Sequence, residues 1–439
     1  MDDTFIILLI AFFLFLILVI PFLQRRKKKE KYIKEADLNS LKYGLKEPVS
    51  LHPVVDLDRC IGSGGCIEAC PEKDVLGIHT GQAITVSPAR CIGHGLCERS
   101  CPVNAITLVF GSEKRGVDIP RIRENFETNI SGIFIIGELG GMGLIKNAFE
   151  QGKQCIELMR KELTPSTDSN IYDVIIVGCG PAGLSAAITA KHHGLNNLVL
   201  ERESIGGTVR YYPRKKVVMT RPVEIPGYGK FKKRELLKEE LIELWEELVQ
   251  HFSLFIKTGI NVSKVSKNGT GLFKIETENE IFEAKKVILA IGRRGTPRKL
   301  GIYGEDLPNV SYSLREPDHF ENMIVSVIGG GDSAIEAAIA LADQTGNTVR
   351  LIYRSSKFSR LKPQNLETIT TYQNEQKIEI LLKSQVTENS LTHIKILSSE
   401  TNTEQELPND YLFIFAGGIL PTAFLNEIGI EIDTKFGNK

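Results

Sequence analysis

The chain has 439 residues, 42% of them hydrophobic and 25% charged, with 54 basic side chains against 54 acidic. These ordinary globular values exclude wholesale disorder, and the length predicts about three folded units. The charge balance hides an asymmetry: residues 24–34 hold seven Lys or Arg and one Glu, leaving 47 basic against 53 acidic residues elsewhere, so no basic face for nucleic acid is expected.

Residues 5–23 form an apolar run of 19 residues without a charged or polar side chain. As a helix it would span roughly 28 Å, close to the bilayer core of about 30 Å. A cleaved signal peptide would need a basic start and a small-residue cleavage site, but the chain begins Met-Asp-Asp and leaves the run at Phe22-Leu23-Gln24. The expectation is one transmembrane anchor over residues 1–24, then a basic linker over 25–50. Arg25, Arg26 and Lys27–Lys29 would hold the body of a single-pass membrane protein in the cytoplasm.

Six of the eight cysteines lie between Cys60 and Cys101, a clustering that points to metal ligation and not to a secreted disulfide framework. Cys60-Ile-Gly-Ser63-Gly-Gly-Cys66-Ile-Glu-Ala-Cys70-Pro71 is repeated 31 residues on as Cys91-Ile-Gly-His94-Gly-Leu-Cys97-Glu-Arg-Ser-Cys101-Pro102. Each copy resembles the bacterial two-cluster ferredoxin run C-x2-C-x2-C-x3-C-P, with Ser63 and His94 in place of the second cysteine. In that resemblance the fourth cysteine of each run ligates the other cluster. It implies one iron–sulfur cluster on Cys60, Cys66 and Cys101 and a second on Cys91, Cys97 and Cys70. The fourth corner stays open between [3Fe–4S] centres and [4Fe–4S] centres completed by Ser63 oxygen or His94 nitrogen. A structural zinc site is the plainer alternative, though zinc patterns seldom repeat the Cys-Pro ending. Short strands around Val75 and over 105–110 would close a small α+β module at residues 51–112.

Tyr172-Asp-Val-Ile-Ile-Val-Gly178-Cys-Gly180-Pro181-Ala182-Gly183 is an apolar strand running into G-x-G-x-x-G and a helical pattern. Glu201 closes the next strand, 18 residues past Gly183. The glycines let backbone approach a pyrophosphate at a helix N-terminus, and the acid accepts from a ribose hydroxyl. A second copy reads Ile324-Val-Ser-Val-Ile-Gly329-Gly-Gly331-Asp332-Ser333-Ala334. Its next strand ends Tyr353-Arg354-Ser-Ser-Lys357 without an acid, and Arg354 offers a donor fork for a 2′-phosphate, so NADPH is expected over NADH.

Residues 171–439 resemble the thioredoxin-reductase-like flavoproteins through Gly178–Gly183, Gly206-Gly207-Thr208, the turn Ala290-Ile-Gly292 and Gly329–Ala334. That resemblance implies FAD at the first motif, and a last strand, Gly-Asp pair and helix that meet the flavin. Here the chain runs out at Asp433-Thr-Lys-Phe-Gly437. The matching stretch lies upstream, as Gly132-Ile-Phe-Ile-Ile-Gly137-Glu138 followed by the helical Ala148-Phe-Glu-Gln-Gly152, with Glu138 for the usual Asp. The expectation is a circularly permuted flavin fold: 113–163 packs on a core at 171–310, an NAD(P)-binding domain occupies 311–420, and 421–439 returns to the first fold. The permutation would join the cysteine module directly to the segment expected beside the flavin.

Where thioredoxin reductases carry C-x-x-C, this chain has Ser313 and Glu316, so disulfide exchange by that dithiol is excluded. Cys179 and Cys155 remain. The chain is also similar to bacillithiol disulfide reductases, which leaves a single-cysteine route through Cys179 as an alternative. No Phe-x-Gly-x-x-x-His monooxygenase fingerprint is present. The expected class is α/β, with two Rossmann-like domains, a small ferredoxin-like module and one transmembrane helix. The expected function is a membrane-anchored NAD(P)H oxidoreductase passing electrons through FAD and two iron–sulfur clusters to a ferredoxin, quinone or cytochrome. A redox sensor with little turnover is the other alternative. No acid–base catalytic residue is identified, and a homodimer stays open.

Overall fold

In the computed structural model, residues 3–437 are described apart from positions 43–45, 47, 49–50, 73, 92, 114–115, 142, 169, 213, 215, 220–222, 232–235, 294, 359–360 and 362. The chain divides into two units, residues 1–117 with 435–439, and residues 118–434.

The first unit begins with helix α1, Asp3–Lys42, which runs without interruption through the apolar stretch and the basic residues after it. Among the described residues, no helix is long and apolar enough to cross a membrane. This corrects the expected transmembrane anchor, single-pass topology and cytoplasmic placement. The reason lies in how the apolar run is used: it is the front part of a 40-residue helix whose later turns are charged and engaged with protein. Ile33 is buried against Gly77, whose hydrogen leaves room that a Cβ would take from the Ile33 methyls. Ser40 Oγ bonds Ser87 Oγ at 2.9 Å, and Glu30 accepts the Thr80 amide at 2.9 Å. Helix therefore occupies much of the stretch expected as a linker, while 43–45, 47 and 49–50 lie outside the described residues.

Beyond it, strand Leu51–Val55 pairs antiparallel with Ile106–Phe110. Strands Leu76–His79 and Gln82–Thr85 form a hairpin turned by Thr80 and Gly81, both at positive φ. The sequence repeat becomes a structural one. Helices α2 (Gly65–Ala69) and α3 (Leu96–Arg99) each start after a glycine in the left-handed region, Gly64 at φ 76° and Gly95 at φ 70°. These glycines turn the chain sharply enough for each short helix to bury its cysteine, Cys66 or Cys97, in one core with Leu76 and Ile106.

The second unit holds two sheet folds, the first mixed and the second parallel. The first sheet runs Ile256–Thr258, Asn197–Glu201, Ile171–Val177, Ile281–Leu289, Phe273–Thr277, Val262–Lys267. Strand Ile133–Ile135 adds to it in parallel, register Val287↔Ile133 to Leu289↔Ile135. Helix α4 (Ile145–Met159) then lies on α5 (Pro181–His192). The approach is close because Gly152 faces the α5 backbone: a Cβ there would stand 2.3 Å from the Ala182 carbonyl oxygen and 2.8 Å from the Ala186 nitrogen. Burial of Phe149, Cys155, Ile156 and Met159 with Leu184 and Ile188 supplies the hydrophobic drive.

The second sheet runs Val310–Ser311, Tyr411–Ile414, Ile324–Ile328, Thr348–Tyr353, Ile378–Leu382, all parallel, with α6 (Asp332–Ala342) packed on it. A three-stranded meander over 384–408 follows the last strand. The chain passes between the folds at a ribbon of Thr296–Pro297 against Gly418–Ile419. It then returns to the first fold, burying Leu425 and Ile430 in that core and pairing Asp433 with Arg121.

Candidate functional site

One cleft of about 1060 Å³ lies in the second unit, and both glycine loops open into it. Gly178, Gly180, Pro181 and Ala182 line it where strand Ile171–Val177 passes into α5. The three glycines do different work. Gly178 sits at φ 101° with Ala290 so close that a Cβ would meet its oxygen at 2.6 Å. Gly183 packs on the Gly178 carbonyl at 1.9 Å from a would-be Cβ and does not line the cleft. Gly180 has nothing within 4 Å of that position, so its backbone faces open space at the N-terminus of a 12-residue helix, the geometry that receives a pyrophosphate. Glu201 is buried, and its carboxylate accepts the Cys179 amide at 2.6 Å and the Glu203 amide at 2.8 Å. Each oxygen keeps a lone pair for a ribose hydroxyl. Gly207 and Thr208 line the same cleft, as do Gly137 and Glu138 from the segment before α4. Gly137 is held by its amide donating to Gln151 Oε1 at 2.7 Å.

The second motif reaches the cleft through Gly331, Asp332, Ser333 and Ala334. Gly331 again opens onto empty space ahead of α6, while Gly329 lies tight against Ala334 and the Phe415 carbonyl. Tyr353 stands where an acid would hold a ribose, stacked on Phe358 with ring centroids 5.5 Å apart. Arg354 is exposed and does not line the cleft. Tyr211, Tyr212 and Arg315 also line it; the sequence pattern offered no motif for them beyond their place after Gly206-Gly207-Thr208 and beside Ser313.

In the first unit the six cysteines sort into two groups. Cys60, Cys66 and Cys101 line one cavity together with Ser63. Burial pushes the Cys66 thiol up, and the neighbouring Cys60 and Cys101 add to the shift. Cys91 and Cys97 are each pushed up to about 11, first by burial, with Cys70 contributing to both. Backbone amides point at sulfur: Ala83 at Cys60, 3.3 Å, Gly93 at Cys91, 3.4 Å, and Ala105 at Cys101, 3.2 Å. Such N–H···S bonds are the kind that tune cluster potentials. Among the described residues, no three His, Cys, Asp or Glu side chains converge on one metal ion. Three thiols around one cavity, three more near enough to shift one another, and amide donors to each set suit multi-iron clusters, which spread their ligands. His94 is half-buried in its glycine-rich loop.

A family profile described as pyridine nucleotide-disulphide oxidoreductase matches residues 175–437. The chain belongs to that family. A 4Fe-4S dicluster domain profile matches residues 53–108 of this oxidoreductase. It is similar to the ferredoxin–NADP reductase of Ignicoccus hospitalis, 32% identical over 265 residues that cover 60% of this chain and 83% of the relative. It is also similar to the thioredoxin reductase of Helicobacter pylori, 34% identical over 268 residues covering 58% and 80%. The bacillithiol disulfide reductase Bdr of Staphylococcus aureus shares the fold with a TM-score of 0.53 at 27% identity, covering 60% of this chain and 82% of that one. The protein is an FAD-dependent NAD(P)H oxidoreductase carrying an iron–sulfur domain.

The remaining thiols of this pyridine nucleotide-disulphide oxidoreductase are set apart from solvent. Cys179 is fully buried, and burial together with Glu201 pushes its thiol up to about 12. Cys155 is fully buried within α4 and is pushed up further by burial alone. A nucleophilic thiol needs exposure and a lowered pKa. At Ser313 and Glu316, where the sequence resemblance expects a dithiol in thioredoxin reductases, the Ser313 amide bonds Ser311 Oγ at 3.3 Å and Glu316 pairs with Arg214 at 3.3 Å.

Proposed function

We propose that this protein is an NADPH-dependent electron-transfer flavoenzyme. NADPH would be oxidised to NADP⁺ with release of one proton, and its two electrons would leave singly through two iron–sulfur clusters to a redox protein of the ferredoxin kind. The reading is carried by the single cleft into which both glycine loops open, because hydride delivery needs both nucleotides in one enclosure.

Residues would serve as follows. Gly178, Gly180, Pro181, Ala182, Gly207 and Thr208 hold FAD by backbone approach, with Gly183 packing the loop from behind, Glu201 on the ribose and Gly137–Glu138 beside the flavin. Gly331, Asp332, Ser333 and Ala334 receive NADPH, with Gly329 packing their loop and Arg354 meeting the 2′-phosphate outside the cleft. Cys60, Cys66 and Cys101 hold one cluster and Cys91, Cys97 and Cys70 the other, with Ser63 and His94 at the two remaining corners. The pairing of strand Ile133–Ile135 with Ile281–Leu289 supports the reading of 113–163 as a permuted part of the flavin fold. The flavin, nicotinamide and iron–sulfur groups supply the redox chemistry when bound; the chain orients them and shuts out water.

The competing reading, a low-molecular-weight disulfide reductase working through Cys179, is opposed by the burial and raised pKa of that thiol. Oxygen-free purification with counts of flavin, iron and acid-labile sulfide per chain, followed by NADPH titration, tests the proposal. Bleaching of the flavin accompanied by paramagnetic signals from both clusters is expected. Bleaching with silent clusters would overturn electron transfer, and a single reduction event without dye-linked turnover would favour a sensor.

A further inference from the structure

The second nucleotide fold is joined to the first by two passes of chain, at the ribbon of Thr296–Pro297 and Gly418–Ile419. A left-handed glycine stands beside each pass, Gly295 at φ 54° and Gly417 at φ 82°. A ribbon of only two paired residues is a short joint, so it does not by itself fix the angle between the folds. Something else must hold both glycine loops toward one cleft.

Tyr211, Arg214 and Lys216, which belong to the first fold, supply it. Arg214 reaches Glu316 at 3.3 Å and Asp318 at 4.0 Å in the second fold. Lys216 reaches Glu336 on α6 at 3.6 Å. Between them the Arg315 guanidinium lies over the Tyr211 ring, 4.4 Å from its centroid. In the three ion pairs the cations belong to the first fold and the carboxylates to the second, and the carboxylate of Glu316 stands where the dithiol relatives would carry a cysteine.

We propose that Arg214 and Lys216 are positioning residues for hydride delivery: with Glu316, Asp318 and Glu336 they form an ionic clasp that sets the second fold at the angle where NADPH meets the flavin site. Neither Arg214 nor Lys216 lines the cleft, so they act through the orientation of the folds. The pairs are partly exposed, so each is weak and screened by salt. A clasp of several weak ties beside a two-residue joint can open for nucleotide exchange and reclose. This inference rests on the electron-transfer reading above.

The test uses the full-length, cofactor-loaded protein in oxygen-free stopped flow at low and high salt. The double variant Arg214→Glu, Lys216→Glu is expected to reduce its flavin about tenfold more slowly at low salt, with full final bleaching and unchanged FAD content. The parent should slow toward the variant as salt rises. The charge swap Arg214→Glu with Glu316→Arg should recover part of the lost rate. Limited proteolysis of the same cofactor-loaded protein should cut faster near the ribbon in the double variant. Equal rates in parent and variant, or a parent rate indifferent to salt, would overturn the clasp. A parent flavin that NADPH never bleaches would overturn the electron-transfer reading and the clasp with it.

Discussion

Glu201 Oε2 accepts the backbone amide of Cys179 at 2.6 Å, so the acid ending one strand closes the glycine loop ending its neighbour. The carboxylate is buried, and its other oxygen holds the Glu203 amide. Glu201→Ala leaves two amides without an acceptor and is expected to cost about 1–3 kcal/mol of stability. Flavin retained through purification should fall with it. Melting temperature and flavin absorbance per chain measure both, and normal values would show that Glu201 holds neither loop nor cofactor.

Gly152 is expected to reject any side chain. The Cβ of Gly152→Ala would lie 2.3 Å from the Ala182 oxygen, so α4 must move away from α5, at a cost of about 1–3 kcal/mol. Because Ala182 lines the cleft, flavin affinity should drop as well. Thermal unfolding and fluorimetric FAD titration check this. Gly269, with nothing within 4 Å of its Cβ position and outside the cleft lining, is the control and should tolerate alanine.

Crossed ligation makes a sharp test in the cysteine module. Cys70→Ser should remove the signal of the cluster held by Cys91 and Cys97 while leaving the other cluster intact. Cys101→Ser should do the reverse. Iron and sulfide analysis with paramagnetic resonance of each variant distinguishes this from local ligation, in which Cys70→Ser would instead strike the cluster of Cys60 and Cys66. An iron chelator applied to reduced protein should lower iron content without releasing flavin.

Cys179 titrates from an ordinary value of 9.0 to about 12 in the folded chain because burial, then Glu201, disfavours its thiolate. A folded value above the unfolded one means the stabilisation is complete below the unfolded value and is lost as pH climbs through the folded one. Stability should therefore decline between about pH 9 and pH 12, and less steeply in Cys179→Ala. Native protein at neutral pH should leave Cys179 unalkylated by iodoacetamide, and Cys179→Ser should oxidise NADPH at the parent rate. Loss of turnover in that variant would revive the disulfide-reductase reading.

Arg354 is exposed beside Tyr353, at the end of the strand where the nucleotide ribose is expected. Arg354→Glu should raise KM for NADPH by about tenfold or more through loss of a charge-assisted bond and new repulsion, leaving NADH little changed. Equal effects on both nucleotides would mean that Arg354 does not read the 2′-phosphate.

The sequence by itself determined the local chemistry. A loop that cradles phosphate must place glycines at Gly178, Gly180 and Gly183, and a loop that wraps a cluster must space Cys60, Cys66 and Cys70 closely; such short-range demands are written as spacing. The resemblance also implied that Cys101 joins Cys60 and that 113–163 packs on the first fold; only the tertiary structure decided the exact partners. It set the register of strand Ile133–Ile135 against Val287–Leu289 and tied Arg214 and Lys216 to Glu316 and Glu336. It also corrected the anchor read from residues 5–23, since hydropathy reports what a helix would bury and not where it ends: α1 continues through the basic residues to seat Ile33 on Gly77 and Ser40 on Ser87. Long-range pairing follows from shared burial and charge complementarity in three dimensions, and neither leaves a period or a spacing in the chain.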